Sequence, residues 1–93
     1  MPKLLRLTPD AAATLALNGL AFLVGTGADM DRFLDLTGVD RDSLRDRADE
    51  PDFLVSVLDF LLSNEELLVR FCDDFEIDVR AVHMARHVLA GGG

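Results

Sequence analysis

The stretch that decides the fold is PDFLVSVLDFLL, residues 51–62. Its polar side chains after the leading proline are confined to Asp52, Ser56 and Asp59, and Ser63 follows directly. Steps of four, three and four residues place these four on one narrow face of a helix. A helix that is apolar around most of its circumference must be enclosed by other elements. We therefore expect residues 51–62, which are too short to cross a bilayer, to form the central helix of a small bundle.

Composition limits the class of protein. The chain has 93 residues, which suits a single domain over residues 1–93, and 49% of them are hydrophobic, which excludes a disordered chain. Its net charge of −8 repels phosphate backbones, so a nucleic-acid partner is disfavoured. The single cysteine, Cys72, cannot form an internal disulfide, and residues 1–7 lack the apolar core of a signal peptide. We expect a cytoplasmic protein without a membrane partner.

Capping signals place the first two helices. Thr8 is a favourable N-cap, and Pro9 suits the first helical position because its missing N–H would be unpaired there anyway. This helix runs to Val24, where the Gly-Thr-Gly linker at 25–27 breaks it. A second, short helix starts at Thr26 or Asp29 and ends at Gly38, since glycine readily adopts the left-handed conformation that ends a helix.

The remaining boundaries follow similar signals. Asp40 should cap a third short helix, and the central helix should begin at Pro51. Ser63 and Glu66 form the pattern of a capping box for a fifth helix, which reaches about residue 75. Asp78 should cap the last helix, which ends near residue 89 and leaves a flexible glycine tail at 91–93. No alternating run of the kind that forms strands competes with this assignment.

A shift of 38 residues aligns the chain with itself. The identical pairs include Leu20 with Leu58, Phe22 with Phe60, Leu23 with Leu61, Phe33 with Phe71, and Asp40 with Asp78. We expect an all-α bundle of five to six short helices built from two duplicated three-helix units, residues 9–48 and 51–89. Their first helices should face each other across a pseudo-two-fold axis. An N-terminal arm, residues 1–8, should pack its leucines on the bundle.

Two segments carry a resemblance to a known family. FLDLTGVDRDSLR (residues 33–45) and DFLVSVLDFLLSNE (residues 52–65) resemble an uncharacterised family of small bacterial helical proteins that is catalogued as a domain of unknown function. The resemblance covers about residues 9–89. It implies an all-helical cytoplasmic protein, and it carries over no catalytic or ligand-binding residue.

The strongest candidate for a metal site is the pair His83 and His87, which lie four residues apart and share a helix face. Cys72 would be a third ligand only if its face of the preceding helix turned toward them. A zincin motif would need glutamate at position 84, where Met84 stands. Two ligands do not make a closed site, so surface histidines near a helix C-terminus are the simpler interpretation.

Three other patterns predict ordinary structure rather than chemistry. The acids at 74, 76 and 78 begin like a calcium loop, but Val79 and Ala85 occupy the positions that need Gly and Glu. The arginines at 41, 45 and 47 could suggest a nucleic-acid-binding helix, but the acidic residues between them cancel their positive electrostatic field. We expect Asp42 and Arg45 to form one ion pair within the helix. The glycines at 25 and 27 follow a helix and lack the lysine of a phosphate loop.

No catalytic grouping or cofactor motif stands out, so we expect no catalytic, cofactor-binding or metal residues. The expected function is a non-enzymatic protein–protein interaction module, with a homodimer as one form of it. A metal-binding protein using His83 and His87 with Cys72 is the alternative, and a nucleic-acid-associated helical protein is the second alternative. An excess of apolar residues over what six short helices can bury favours the interaction module.

Overall fold

The computed structural model describes residues 7–91, and within them it confirms an all-α fold without strands. Six α-helices follow one another, and a short 3-10 turn at Arg41–Ser43 leads into the third. Their bounds are α1 (Pro9–Val24), α2 (Ala28–Thr37), α3 (Leu44–Arg47), α4 (Pro51–Leu62), α5 (Glu65–Phe75) and α6 (Val79–Leu89). No helix among these is long and apolar enough to span a membrane.

The arm and the tail lie mostly outside the described residues. The predicted packing of Leu4 and Leu5 on the bundle falls there, as does the predicted flexibility of residues 92 and 93. Leu7 is described, and it packs against the core as a partly buried side chain. Of the predicted docking of the arm's leucines, the described residues contain the contact of Leu7 alone.

The core lies where α1, α4 and α6 pack on one another. Helix α4 also contacts α2 and α5, which confirms its central position. Its buried side chains are Phe53, Leu54, Val57, Leu58, Phe60 and Leu61. The polar stripe is accessible, since Asp52 and Asp59 are exposed and Ser56 is half-buried. Pro51 is exposed as well, and Val55 and Leu62 are half-buried. The hydrophobic effect alone explains this orientation, because every other orientation would expose large apolar side chains.

Gly19 allows α1 to approach α4 closely. Its position inside α1 is buried, and a Cβ built on it would lie 3.0 Å from Leu61 Cδ1 and 3.4 Å from Val57 Cγ1. The separation from Leu61 is tighter than ordinary van der Waals contact and that from Val57 is at its limit, so the missing side chain makes room mainly for Leu61. Glycine is unfavourable inside a helix, and this close packing offsets that disadvantage at position 19.

Two clusters of phenylalanines flank this contact. Phe22 of α1 lies 5.5 Å, between ring centroids, from Phe71 of α5, and Phe60 of α4 lies 5.5 Å from Phe33 of α2. In the predicted repeat, Phe22 corresponds to Phe60 and Phe33 to Phe71. The contact between Phe22 and Phe71 therefore corresponds to the contact between Phe60 and Phe33. A pseudo-two-fold axis would relate two contacts in this way.

The third elements of the two predicted units differ. Helix α6 is eleven residues long and buries Val82 and Ala85 against the core. The corresponding part of the first unit is the 3-10 turn followed by the four-residue α3, and neither contains a buried residue. The duplication of units 9–48 and 51–89 therefore stays a prediction.

The cap of α5 differs from the prediction by one residue. Ser63 still has helical backbone angles at the end of α4, and its hydroxyl donates to the carbonyl of Phe60 at 3.0 Å. The extended conformation that an N-cap needs falls on Asn64, whose side chain accepts a hydrogen bond from the Leu67 N–H at 3.3 Å. The predicted capping box of Ser63 with Glu66 is therefore wrong.

The other predicted caps have mixed outcomes. Thr8 accepts from the Ala11 N–H at 3.1 Å and Asp78 from the Arg80 N–H at 2.8 Å, which confirms both. Asp40 stands before the 3-10 turn and its side chain makes no capping hydrogen bond, while the N-cap of α3 is Ser43, so the predicted cap of the third helix is wrong. Helix α2 begins at Ala28, between the two predicted starts, because the Thr26 hydroxyl instead donates back to the α1 carbonyl of Leu23.

Left-handed residues end α2 and α5. Gly38 has φ 73° and donates its N–H to Leu34, as predicted for a helix C-terminus. Glu76 has φ 54° and donates to Cys72 in the same way. Glu76 has a side chain, so its backbone is strained in a manner that Gly38 avoids.

Gly19→Leu should destabilise the protein by about 2 kcal/mol, because an extra side chain would overpack the α1–α4 contact. Helix propensity alone predicts the opposite sign, since leucine is a better helix former than glycine. Urea unfolding followed by circular dichroism measures the difference. Gly25→Leu is the matched control, since a Cβ at Gly25 meets only its own helix's Phe22 carbonyl at 3.5 Å. Equal stability of the two variants would contradict close packing at Gly19.

Glu76→Gly should stabilise the protein by about 1 kcal/mol, because glycine adopts the left-handed conformation without steric cost. Glu76→Ala is the control, since it also removes the charge but keeps the Cβ atom. Thermal unfolding at constant pH should rank the glycine variant above the alanine variant. If the two are equally stable, charge rather than backbone strain dominates at this position.

Candidate functional site

An open groove runs between α2 and α4. Its first part has a volume of about 310 Å³ and is lined by Phe33, Leu36, Thr37, Ser56, Asp59, Phe60 and Ser63. A second part of about 340 Å³ shares Leu36, Thr37 and Ser56 with the first and extends to Asp52 and Phe53. The two parts are therefore continuous, and we call them together the α2–α4 groove.

One wall of the α2–α4 groove is the polar stripe of α4. Asp52, Ser56, Asp59 and Ser63 all line it. The sequence placed these residues on one face because their spacing follows the helical period. The narrow polar face predicted from the spacing thus forms one wall of this groove.

The opposite wall is formed by α2, and the sequence did not predict it. Leu36 is 75% exposed, the highest value among the large apolar side chains of residues 7–91. The signal was present, because Met30, Phe33, Leu34 and Thr37 follow the helical three-four spacing and Leu36 lies outside that stripe. A residue off the apolar stripe of a short amphipathic helix faces away from the core.

The floor of the groove is aromatic and rigid. Phe33 and Phe60 are buried, and their rings meet edge to face. The Arg32 guanidinium lies 5.5 Å from the centroid of the Phe60 ring, within cation–π range. The floor is therefore held by the core on one side and by Arg32 at its rim.

The hydroxyl groups along the groove are already hydrogen-bonded within their own helices. Thr37 donates to the Phe33 carbonyl at 3.0 Å, Ser56 to Asp52 at 3.1 Å and Ser63 to Phe60 at 3.0 Å. Bonds of this type turn the hydroxyl proton toward the helix backbone. Apolar groups of a ligand can therefore cover these side chains without leaving a donor unpaired.

Charged residues at the groove are mostly paired. Arg86 of α6 contacts the Asp59 carboxylate through two nitrogens, and this hydrogen bonding raises the pKa of the Arg86 guanidinium. Arg47 pairs with Glu50 at 3.1 Å. Asp52 has no ion-pair partner within residues 7–91. The groove therefore presents a net negative charge with an apolar floor.

The structure does not bring the predicted metal ligands together. His83 and His87 are both exposed on α6, whereas Cys72 is 7% exposed within the core. Burial raises the pKa of the Cys72 thiol, and the nearby Asp73 and Asp78 carboxylates raise it further. The described part of the chain contains no group of three or more His, Cys, Asp or Glu side chains that could hold a metal ion. Metal binding by the two histidines stays a prediction.

The arginines and acids of the other predicted patterns form local ion pairs. Arg41 pairs with Asp31 of α2 at 2.8 Å, rather than within its own helix. The predicted pair Asp42–Arg45 is not among the ion pairs of residues 7–91. The acidic turn before α6 is solvated, with Asp78 as the cap that we predicted. Three hydrogen bonds from Arg80, two from its guanidinium and one from its backbone N–H, lower the pKa of the Asp78 carboxyl to about 2.

The comparison with protein families agrees with the resemblance drawn from residues 33–45 and 52–65. A family model described as "Protein of unknown function (DUF3572)" matches residues 9–92. The chain belongs to this family. No curated protein matches the chain, and no solved structure does so either. Since the description of DUF3572 contains no activity, the function of this member has to be argued from its α2–α4 groove.

The ionised Asp78 should contribute to stability in a pH-dependent way. Its pKa is lowered in the folded protein, so this contribution is fully present above about pH 4 and is lost as the pH falls toward 2. Carboxyl NMR titration should give a pKa of about 2 for Asp78. The Arg80→Met variant should move that pKa back toward its ordinary value of 3.8. An unchanged pKa in this variant would show that Arg80 is not the cause.

Proposed function

We propose that this protein is a non-enzymatic protein–protein interaction module that binds its partner in the α2–α4 groove. The observation that carries the proposal is Leu36, three-quarters exposed above the buried rings of Phe33 and Phe60. Exposing a leucine so fully gives no folding stability, since its surface stays in water. Such a side chain at the rim of an apolar groove is typical of a contact site.

The groove is better suited to a macromolecule than to a small ligand. Its two parts, of about 310 and 340 Å³, are both open to solvent along their length, so neither encloses a small molecule. Pockets for small molecules enclose most of their ligand and present a few convergent polar groups. Here the hydroxyls of Thr37, Ser56 and Ser63 point to their own helices, which favours covering by apolar side chains.

Two further exposed apolar positions serve as comparisons. Leu17 of α1 is 41% exposed and Val69 of α5 is 47% exposed, and neither lines the groove. Isolated exposed apolar side chains are normal on protein surfaces. The distinction of Leu36 is therefore its position beside a groove with an aromatic floor, rather than its exposure alone.

Photo-crosslinking in cells tests the proposal. Benzoyl-phenylalanine in place of Leu36 should yield an adduct of discrete mass, while the same residue in place of Leu17 should not. Ser56→Arg in the Leu36 probe should remove the adduct, because a long side chain at Ser56 would fill the groove. An adduct of twice the 10.2 kDa chain mass would identify a homodimer. Equal adducts from both positions, or no effect of Ser56→Arg, would reject docking in the groove.

A further inference from the structure

We infer that the occupant of the α2–α4 groove is an amphipathic helix of another protein, with an apolar face flanked by lysines or arginines. This inference rests on the proposed function and adds the chemistry of the partner. Three observations support it. Two concern the groove, namely its length and the charge along its rim, and the third is the net charge of the whole chain.

The groove has the length of a short helix. Its α4 wall extends from Asp52 to Ser63, which at a rise of 1.5 Å per residue is about 16 Å, or three helical turns. Helices that bind in grooves place apolar anchors at i, i+3 or i+4, and i+7. Anchors with that spacing span two turns, so the wall from Asp52 to Ser63 can contact all of them.

Among the residues that the structure describes, the rim offers unpaired carboxylates, whereas its cations are already paired. A neighbouring hollow of about 350 Å³ shares Val39 with the groove and adds Asp35 and Asp40 to its rim. Like Asp52, these two acids have no ion-pair partner within the described range. The cations at this rim, Arg41 and Arg47, are engaged with Asp31 and Glu50. Arg32 and Arg86, which border the groove, are likewise engaged with Asp29 and Asp59. Basic residues flanking the apolar face of a partner would therefore find unpaired carboxylates.

The charge argument also separates this occupant from a second copy of the chain. Each copy carries a net charge of −8, and an isologous dimer would place the same acidic rim against itself. Like charges across an interface slow association and oppose binding. A basic partner has the opposite effect, because attraction between unlike charges increases the association rate.

Fluorescence anisotropy on the full chain tests the inference. The probe is a labelled amphipathic peptide of about 15 residues, with leucines at i, i+3, i+4 and i+7 and lysines at the flanking positions. It should bind saturably and more weakly as salt rises from about 0.05 M to about 0.3 M. Leu36→Ser should weaken binding about tenfold without changing the charge. Leu17→Ser is the matched control and should bind as the parent does.

Control peptides and variants distinguish a failure of the basic partner from a failure of docking in the groove. A peptide with glutamine in place of lysine that binds equally well would overturn the basic partner but leave docking in the groove. Equal binding of the lysine peptide to Leu36→Ser and to the parent would show that the peptide does not occupy the groove, which overturns the inference. The crosslinking from position 36 would then test the proposed function separately. Light scattering that gives twice 10.2 kDa for the parent, but 10.2 kDa for Leu36→Ser, would assign the groove to a second copy.

Discussion

The close contact between α1 and α4 at Gly19 is the constraint on which the rest of the fold depends. Without a Cβ atom there, Leu61 and Val57 pack directly against the α1 backbone. This contact holds two mostly apolar helices together and leaves α6 to cover the seam that they form. The phenylalanine clusters then fill the two sides, with Phe22 on Phe71 and Phe60 on Phe33. Because the packing is this dense, even one additional methylene at position 19 should lower the free energy of unfolding.

The sequence predicts features that depend on local periodicity and misses those that depend on neighbouring elements. The exposed stripe of α4 follows from residue spacing, its start follows from Pro51, and the cap at Asp78 follows from the preference of aspartate for the N-cap position. The cap of α5 does not, because the backbone of Ser63 is still helical and moves the N-cap to Asn64. Only the α4 wall of the groove could be predicted, since the polar stripe that forms it is a periodic pattern in the sequence. Its other wall depends on how α2 is placed against α4, and an isolated leucine such as Leu36 does not encode that placement.

The unequal third elements explain why α4 has an open side. Helix α6 packs on both α1 and α4 and buries Val82 and Ala85 between them. Helix α3 has only four residues, none of them buried, and its Arg47 reaches just the end of the groove. The short α3 does not cover the polar stripe of α4, which stays accessible along the groove.

The α2–α4 groove would need little reordering to bind the proposed helix. Its floor rings are fixed by core packing, so they lose little conformational entropy when covered. Its hydroxyls have partners in their own helices, so covering them leaves no donor unsatisfied. The chief ordering cost falls on Leu36, whose exposed side chain has rotamers to lose. Since few interactions must be broken or ordered, even a short helix with two or three apolar anchors can gain affinity there.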